Sequence, residues 1–321
     1  MRLQEVHHGS THINVRALLV MNSIAANCTC GVERASAKNS EFGRPFHFCS
    51  SIDASRLTHT LLRVSMSEEP LQTVAVEFSL KVGDEQFHAK VDVPAGQTNL
   101  TQLLPIIQSL ENAIVGRAAE QCEAAGSPIS CKAGCGACCR QMVPVSIFEA
   151  QQLGQWIRSL PLDQQKTLED RFHQTLLALK ATGIIERLVH EDWFADNDTA
   201  KRMALDYFRL GVPCPFLQDE SCSIHPRRPL SCREYLVTSP PERCTDPANH
   251  MVAGVELRLK LSHALYRMGG ELEHDRRGWI PLVFLFAWMK SGADPGAEFA
   301  GTGPELLRQF VRHLETHSKT E

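Results

Sequence analysis

A chain of 321 residues is long enough for about two domains. Its 43% hydrophobic and 22% charged residues are ordinary for a globular protein and exclude disorder of the whole chain. The net charge of −4 lacks the excess of Lys and Arg that nucleic acid binding requires. The longest apolar runs, near 16–21 and 280–289, are shorter than the about 20 residues that span a bilayer. We therefore predict that the protein binds neither nucleic acid nor membrane.

The N-terminal residues 1–65 show no sustained helical or strand periodicity, and we predict a poorly ordered extension there. Met66 precedes the first clear pattern and is a possible alternative start of translation. Residues 1–27 contain only a short, interrupted apolar patch, which is a weak match to a signal peptide. A reducing, cytoplasmic compartment is therefore predicted.

Two runs of alternating apolar residues follow, from Val74 to Val82 and from Phe87 to Val93, separated by a Gly-containing loop at 83–85. This pattern predicts a β-hairpin. Because a lone hairpin is marginally stable in water, its apolar face needs a partner. The apolar residues between Leu103 and Gly126 recur at helical spacing and are predicted to provide it.

Beyond residue 126 the chain has mainly helical patterns. Ser146 and Glu149 form a capping box that predicts a helix through Leu160, and another helix is predicted from Asp163 toward Gly183, with an apolar stripe. That stripe consists of Leu168, Phe172, Leu176 and Leu177. Further helices are predicted at 199–210, 251–267 and 304–316.

The predicted fold class is α+β and mostly helical, because strands and crossover helices do not alternate along the chain. An N-terminal β-hairpin and helix precede a helical domain with two Cys-bearing loops. The predicted units are the extension 1–65, the hairpin and helix at 66–126, and the helical cysteine-cluster domain at 127–321.

The first Cys-bearing loop contains four closely spaced cysteines, with the spacing C-x3-C-x2-C-C. They are Cys131, Cys135, Cys138 and Cys139. Gly134 and Gly136 permit φ values closed to other residues, which lets several thiolates converge on one centre. Four thiols separated mainly by Gly, Ala and Lys do not form the apolar face of a buried element. Free thiols in such a loop would also be prone to oxidation. The loop therefore predicts ligation of a metal or cluster.

The second loop begins far beyond the first in sequence, at Cys214, and also contributes Cys222 and Cys232. The first cluster, followed by CPFL, C-x-I, R-P-x-x-C-R and an aromatic residue, resembles the YkgJ-type cysteine-cluster family, a zinc- or iron-chelating domain. The matching positions are Cys131, Cys135, Cys138, Cys139, Cys214, Cys222, Arg228, Pro229, Cys232, Arg233 and Tyr235. They leave the first 100 residues and the region after 250 uncovered. The resemblance implies metal binding and names no substrate.

The ligand chemistry leaves the metal open. A structural zinc ion is bound by four ligands in a tetrahedral arrangement, so seven thiols are too many for one zinc site. An iron–sulfur cluster also takes four Cys but is larger, so a C-x3-C-x2-C turn plus one distant Cys suits it. The remaining thiols are left for a second metal, a redox pair or packing. We favour an iron–sulfur cluster over zinc.

Two arginines flank Cys232. Arg228 and Arg233 are predicted to tune an anionic centre through their charge and hydrogen bonds to sulfur. The alternative is ordinary ion pairing with Glu234 or Glu242.

Other candidates are weaker. The spacing C-x3-C-x2-C also occurs in radical S-adenosylmethionine enzymes, but the adjacent Cys139 and the helical pattern that follows argue against this class. His225 is more consistent with a solvated loop residue than with a ligand, and Cys122 with a small apolar residue on its helix. Cys244 is a possible accessory ligand. The leading interpretation is a metal-binding module, and the alternative is a redox or cluster-dependent enzyme.

Overall fold

The computed structural model describes residues 11–15, 72–82, 85–190, 193, 196–272 and 277–315. Contacts divide the chain into one compact unit, residues 1–17 and 72–321, and a second unit, 18–71, which lies outside the described residues. The described part is mostly helical with short strands, which confirms the predicted α+β class. None of its helices has the length and apolar character needed to span a membrane.

The elements are taken in chain order. The strands are β1 (Thr11–Val15), β2 (Thr73–Val82), β3 (Glu85–Pro94), β4 (Gln97–Asn99), β5 (Pro144–Ser146), β6 (Leu217–Gln218), β7 (Ser221–Cys222), β8 (Trp279–Pro281) and β9 (Ala300–Thr302). The α-helices are α1 (Leu100–Ala124), α2 (Ile147–Ser159), α3 (Leu162–Lys180), α4 (Ile184–His190), α5 (Asn197–Arg209), α6 (Leu230–Glu234), α7 (Leu261–Leu272), α8 (Leu285–Lys290), α9 (Pro295–Glu298) and α10 (Gly303–Glu315). The 3-10 helices are His225–Arg227, Pro241–Thr245 and Leu282–Phe284.

The predicted β-hairpin is present as strands β2 and β3, which pair antiparallel with Thr73 opposite Pro94 and Val82 opposite Glu85. Glu85 was expected in the loop but belongs to β3. Strand β1 pairs parallel with β3 on its other edge. This segment of the predicted extension was not expected to form a strand, because so short an alternation gives little signal. The rest of residues 1–65 lies outside the described part.

The apolar face of the hairpin packs in the largest core. Val91 and Val93 of β3 are fully buried there with apolar side chains of α1, α7 and α10, such as Leu104, Leu265 and Phe310. The sequence pattern identified α1 as a partner of the hairpin but not α10, which lies near the other end of the chain. Described residues on both sides of the predicted boundary at 126 therefore share one core.

Helix α2 has the predicted capping box, in which the side chains of Ser146 and Glu149 each accept a hydrogen bond from the backbone N–H of the other residue.

In α3 the predicted apolar stripe is partly wrong, since Leu177 is 47% exposed and Leu179 is buried. A residue seven positions after Phe172 returns to the same helix face, whereas one five positions after it does not.

The helix predicted at 251–267 begins at Leu261 instead. The backbone N–H of Val255 donates to the carbonyl of Leu236 at 2.8 Å. Backbone groups that bond to a neighbouring segment are not available for helical hydrogen bonds. The segment before α7 is therefore irregular and tied to the chain that follows α6.

Buried carboxylates connect the helices that carry the second Cys loop. Glu149 of α2 is buried and accepts the backbone N–H of Leu230 at 2.7 Å, at the start of α6. Glu234, at the end of α6, accepts the backbone N–H of Ser262 at 2.9 Å, in the first turn of α7. Because each carboxylate satisfies an amide at a helix N-terminus, these contacts fix α6, and with it Cys232.

Glu111 of α1 is fully buried, and the backbone amide of Leu261 offsets the effect of burial on its pKa only in part. Burial, reinforced by the charge of Glu234, raises the pKa of Glu111 to about 9. A carboxyl group whose pKa is raised by folding stabilises the protein at low pH and loses that contribution as the pH rises toward the folded-state pKa. We expect the Glu111→Gln substitution to lessen the fall in unfolding free energy between pH 5 and 8 by more than ~1 kcal/mol.

Urea unfolding at the two pH values measures this difference. Glu120→Gln is the matched control, because Glu120 lies on the same helix with its side chain 71% exposed. The control is expected to follow the wild-type pH dependence. If the unfolding free energy of the wild type and of Glu111→Gln changed by the same amount between pH 5 and 8, Glu111 would not couple folding to protonation.

Candidate metal centre

The first Cys loop leaves α1 and is anchored to the chain that follows α6. The backbone N–H of Ser130 donates to the carbonyl of Val237 at 2.9 Å, and its hydroxyl donates to the carbonyl of Ser239 at 2.6 Å. In return, the N–H of Val237 donates to Cys131 Sγ at 3.3 Å. A hydrogen bond from a backbone amide to sulfur stabilises a thiolate, so this contact favours ionisation of Cys131.

Two glycines shape this loop in different ways. Gly134 has a φ of +87°, as the prediction for it required. Gly136 does not have a positive φ, so the predicted reason for it is wrong. A Cβ at Gly136 would lie 2.4 Å from the carbonyl oxygen of Glu220 and 2.6 Å from Leu217 Cδ1. The absence of a side chain at Gly136 therefore lets the first Cys loop approach the β6–β7 hairpin closely.

The hairpin of β6 and β7 carries Cys222, and Cys214 lies shortly before it in the chain. Asp219 and Glu220 both have positive φ, which is typical of the two-residue turn that connects such strands. The backbone amides of Phe216 and Ile224 lower the pKa of Cys214 and Cys222, against the larger effect of burial, which raises it. These amides are suited to stabilise thiolate ligands.

The two loops are joined directly. The backbone N–H of Cys214 donates to the carbonyl of Cys139 at 2.8 Å. Arg140 and Glu220 form a bidentate ion pair, with the shorter N···O distance 2.7 Å. Segments that are far apart in the sequence thus lie against each other.

One cavity of about 280 Å³ lies between the loops, and six of the seven predicted ligands line it. They are Cys135, Cys138, Cys139, Cys214, Cys222 and Cys232. Cys131 does not line the cavity, but burial and the nearby Cys138 and Cys135 raise the pKa of its thiol. The cysteines in the described part of the chain are not joined in disulfides.

The thiols perturb one another. A hydrogen bond between Cys138 and Cys139 lowers the pKa of Cys138 to about 7 and raises that of Cys139. Burial raises the pKa of Cys214 to about 11, and burial also raises that of Cys232. Several buried thiols cannot all ionise without a compensating positive charge, so a bound cation would replace their protons.

The two predicted tuning arginines occupy different positions. Arg228 lines the cavity, and its Nε is buried without a hydrogen-bond partner among the described residues. Its charge opposes the effect of burial on the pKa of Cys222 and Cys232. A buried N–H donor that lacks a partner and lies near thiols is suited to interact with an anionic thiolate centre.

Arg233 does not line the cavity. It donates to the carbonyls of Arg228 and Pro226, at 3.0 and 2.7 Å, and to Asn112 Oδ1 of α1 at 2.9 Å. Arg233 therefore holds the backbone that carries Arg228 and connects it to α1. The partners of its guanidinium are protein groups, and its predicted tuning of a metal centre stays a prediction.

No group of three or more His, Cys, Asp and Glu side chains within the described ranges is arranged to hold a metal ion as it stands. The donor set nevertheless fits a thiophilic metal, because clustered thiols and one unpartnered guanidinium nitrogen line a shared cavity. We therefore expect metal binding to involve rotation of the Cys side chains about χ1.

Sequence reasoning missed the other wall of the cavity. Lys260, Ser262, His263 and Tyr266, at the start of α7, line it together with the predicted loop residue His225. These residues form no motif, and the contact of Glu234 with the backbone of Ser262 helps to place them beside α6. Nothing in the local sequence signals this contact.

Residues 130–250 match the sequence model of the CxxCxxCC family, which is described as "Putative zinc- or iron-chelating domain". This match confirms the resemblance found in the cysteine pattern. No curated protein and no solved structure matches the chain.

Proposed function

We propose that the protein binds metal through the thiols of its two Cys loops, and that an iron–sulfur cluster is the preferred occupant over zinc. The observation that carries the proposal is the shared cavity, in which cysteines from segments distant in sequence face one space beside Arg228. A water molecule takes up about 30 Å³ of liquid. A cavity of about 280 Å³ therefore has room for more than a single ion.

The residues of the chain have distinct tasks in this proposal. Four of the seven predicted thiols supply the ligands, and amides such as that of Val237 hydrogen-bond the sulfurs. Arg228 offsets the negative charge of a thiolate centre. The metal supplies the positive charge that permits the buried thiols to ionise. Since the described cysteines are free, the proposal includes a reducing compartment such as the cytoplasm.

A second candidate, a redox or cluster-dependent enzyme, is supported by polar residues that line the same cavity as the thiols. Lys260, His263 and Tyr266 place ionisable groups on the same cavity as the cysteines. An enzyme with a metal centre needs a space of this kind for its substrate. A small molecule that changes the spectrum of the bound metal would favour this candidate over a purely structural metal site.

Anaerobic purification followed by metal analysis and absorption spectroscopy tests the proposal. We expect iron and sulfide with an absorption band near ~400 nm that bleaches with dithionite, because iron–sulfur clusters are coloured redox centres. A colourless sample with stoichiometric zinc would support metal binding and show that zinc, not an iron–sulfur cluster, is the occupant. A sample without metal, from cells supplied with iron and zinc, would contradict the proposed function.

A further inference from the structure

The cavity of the candidate metal centre is lined by basic and polar side chains as well as by thiols. Arg228 and Lys260 are its basic residues with a permanent charge at neutral pH, and Glu234, Ser262 and Tyr266 are among its polar ones. Thiol ligation of a metal does not require Lys260, Ser262 or Tyr266. The same space therefore offers groups to a second molecule.

Most of these polar groups are already engaged within the protein. The carboxylate oxygens of Glu234 accept the backbone N–H of Ser262 at 2.9 Å and its hydroxyl at 2.5 Å. The hydroxyls of Tyr266 and Ser231 both donate to the carbonyl of Pro144, at 3.1 and 2.7 Å. A hydroxyl has one proton to donate, so these groups have little donor capacity left for a bound molecule.

Lys260 differs from its polar neighbours. It is partly buried immediately before α7, and among the residues that the structure describes its ammonium group has no hydrogen bond or ion pair. Its charge acts on Glu234, but both oxygens of that carboxylate are held by Ser262. An ammonium group has three donors, and its strongest hydrogen bonds are to anions.

The remaining charges of the cavity define which anion suits Lys260. The charge of Arg228 favours ionisation of Cys222 and Cys232, so Arg228 is already matched by a thiolate centre. Phosphate groups commonly use free amides at a helix N-terminus, but in α7 the amide of Ser262 is bonded to Glu234. One ammonium group without such amides suits a monoanion, and a carboxylate is the common organic one.

Apolar side chains adjoin this polar part of the cavity. Met142, Val143 and Leu282 line it, and the backbone N–H of Leu282 donates to the carbonyl of Val143 at 2.8 Å. Val143 precedes Pro144, whose carbonyl accepts the hydroxyl of Tyr266. The cavity of about 280 Å³ corresponds to roughly nine water volumes, which leaves room for a small apolar body beside a metal.

We propose that the cavity binds a small organic monocarboxylate beside the metal, with the carboxylate on Lys260 and the apolar body on Met142, Val143 and Leu282. Ligand sites of this kind combine a mainly apolar lining with a few polar groups that orient the molecule. The inference rests on the proposed function, because it names the class of molecule that shares the cavity with the bound metal.

Calorimetric titration of the anaerobically purified, metal-containing chain tests the inference, with hexanoate and benzoate as probes. We expect saturable binding of at least one of them, with a Kd of about 1 mM or lower. Acetate should bind about tenfold more weakly or worse, because it lacks the apolar body. The neutral amides of the two acids should lose about tenfold or more, because they lack the charge. No saturable binding of either carboxylate, or equal affinity for the acids and their amides, would overturn the inference.

Substitution of Lys260 assigns the partner of the carboxylate. Lys260→Met is expected to weaken binding about tenfold or more at unchanged metal content, whereas Lys260→Arg, which keeps the charge, should retain most of the affinity. Lys201→Met is the matched control, because Lys201 is exposed on α5 and does not line the cavity. Wild-type affinity in Lys260→Met would overturn the inference.

Metal analysis of the same preparations separates the two proposals. A wild-type chain with full metal that binds neither carboxylate would contradict the inference alone. A chain that purifies without metal would contradict the proposed function, and with it the inference.

Discussion

Removal of the metal with a strong chelator is expected to lower the Tm of the protein by about 10 °C or more, which corresponds to about 3 kcal/mol for a domain of this size. The physical reason is that binding energy at a thiolate site that does not preform is also folding energy. The two Cys loops are mainly irregular backbone joined by few hydrogen bonds, and they contain buried thiols and the unpartnered Arg228. Apart from Leu230, the core of the hairpin, α1, α7 and α10 consists of residues outside these loops and should retain much of its helical signal.

Circular dichroism during heating, with and without the chelator, measures the change in Tm. Limited proteolysis locates it, since cleavage in the metal-free protein should concentrate at 127–143 and 211–250. A variant with Cys131→Ser and Cys214→Ser serves as the control, because it should already be destabilised and respond little to the chelator. An unchanged wild-type Tm after verified loss of metal would show that the metal does not hold the loops together.

The Gly136→Ala substitution is expected to cost about 3 kcal/mol or more and to lower metal content sharply, because the new methyl group would overlap backbone atoms. The carbonyl of Glu220 is part of a tight turn and has little freedom to move away. The first Cys loop would have to separate from the β6–β7 hairpin, and the two segments that supply thiols would no longer meet. Urea unfolding and metal analysis of the same preparation measure both effects.

Gly116→Ala is the matched control. Gly116 lies within α1 and a Cβ there has no neighbour within 4 Å, so the same methyl group should leave stability unchanged or raise it by up to ~1 kcal/mol. Metal content should remain at the wild-type level. A Gly136→Ala protein with full metal and wild-type stability would mean that close contact between the loops is not needed for the site.

Features determined by local sequence were predictable. The hairpin follows from alternating apolar residues, and the start of α2 follows from Ser146 and Glu149, which form the capping box within one helical turn. The metal-binding character of the first loop follows from thiol density alone. These predictions succeed because each depends on neighbours that lie close together along the chain.

Features determined by tertiary contacts were not predictable. Helix α7 begins later than its apolar pattern indicates, because the preceding backbone bonds to the segment after α6. The need for glycine at Gly136 arises from Glu220, and the hydrogen bond of Val237 to Cys131 joins residues that lie 106 positions apart in the chain. In each case the deciding partner lies in a different segment of the chain, and no local pattern encodes it.

The most direct measurement of the central claim is X-ray absorption spectroscopy at the edge of the metal that purifies with the protein. The account predicts a first coordination shell of four sulfur atoms, at about 2.3 Å where the metal is zinc. It also predicts that Cys131→Ser and Cys232→Ser each reduce the sulfur count, because both Cys loops supply ligands. A first shell of nitrogen and oxygen, or a sulfur count that does not change in either variant, would contradict it.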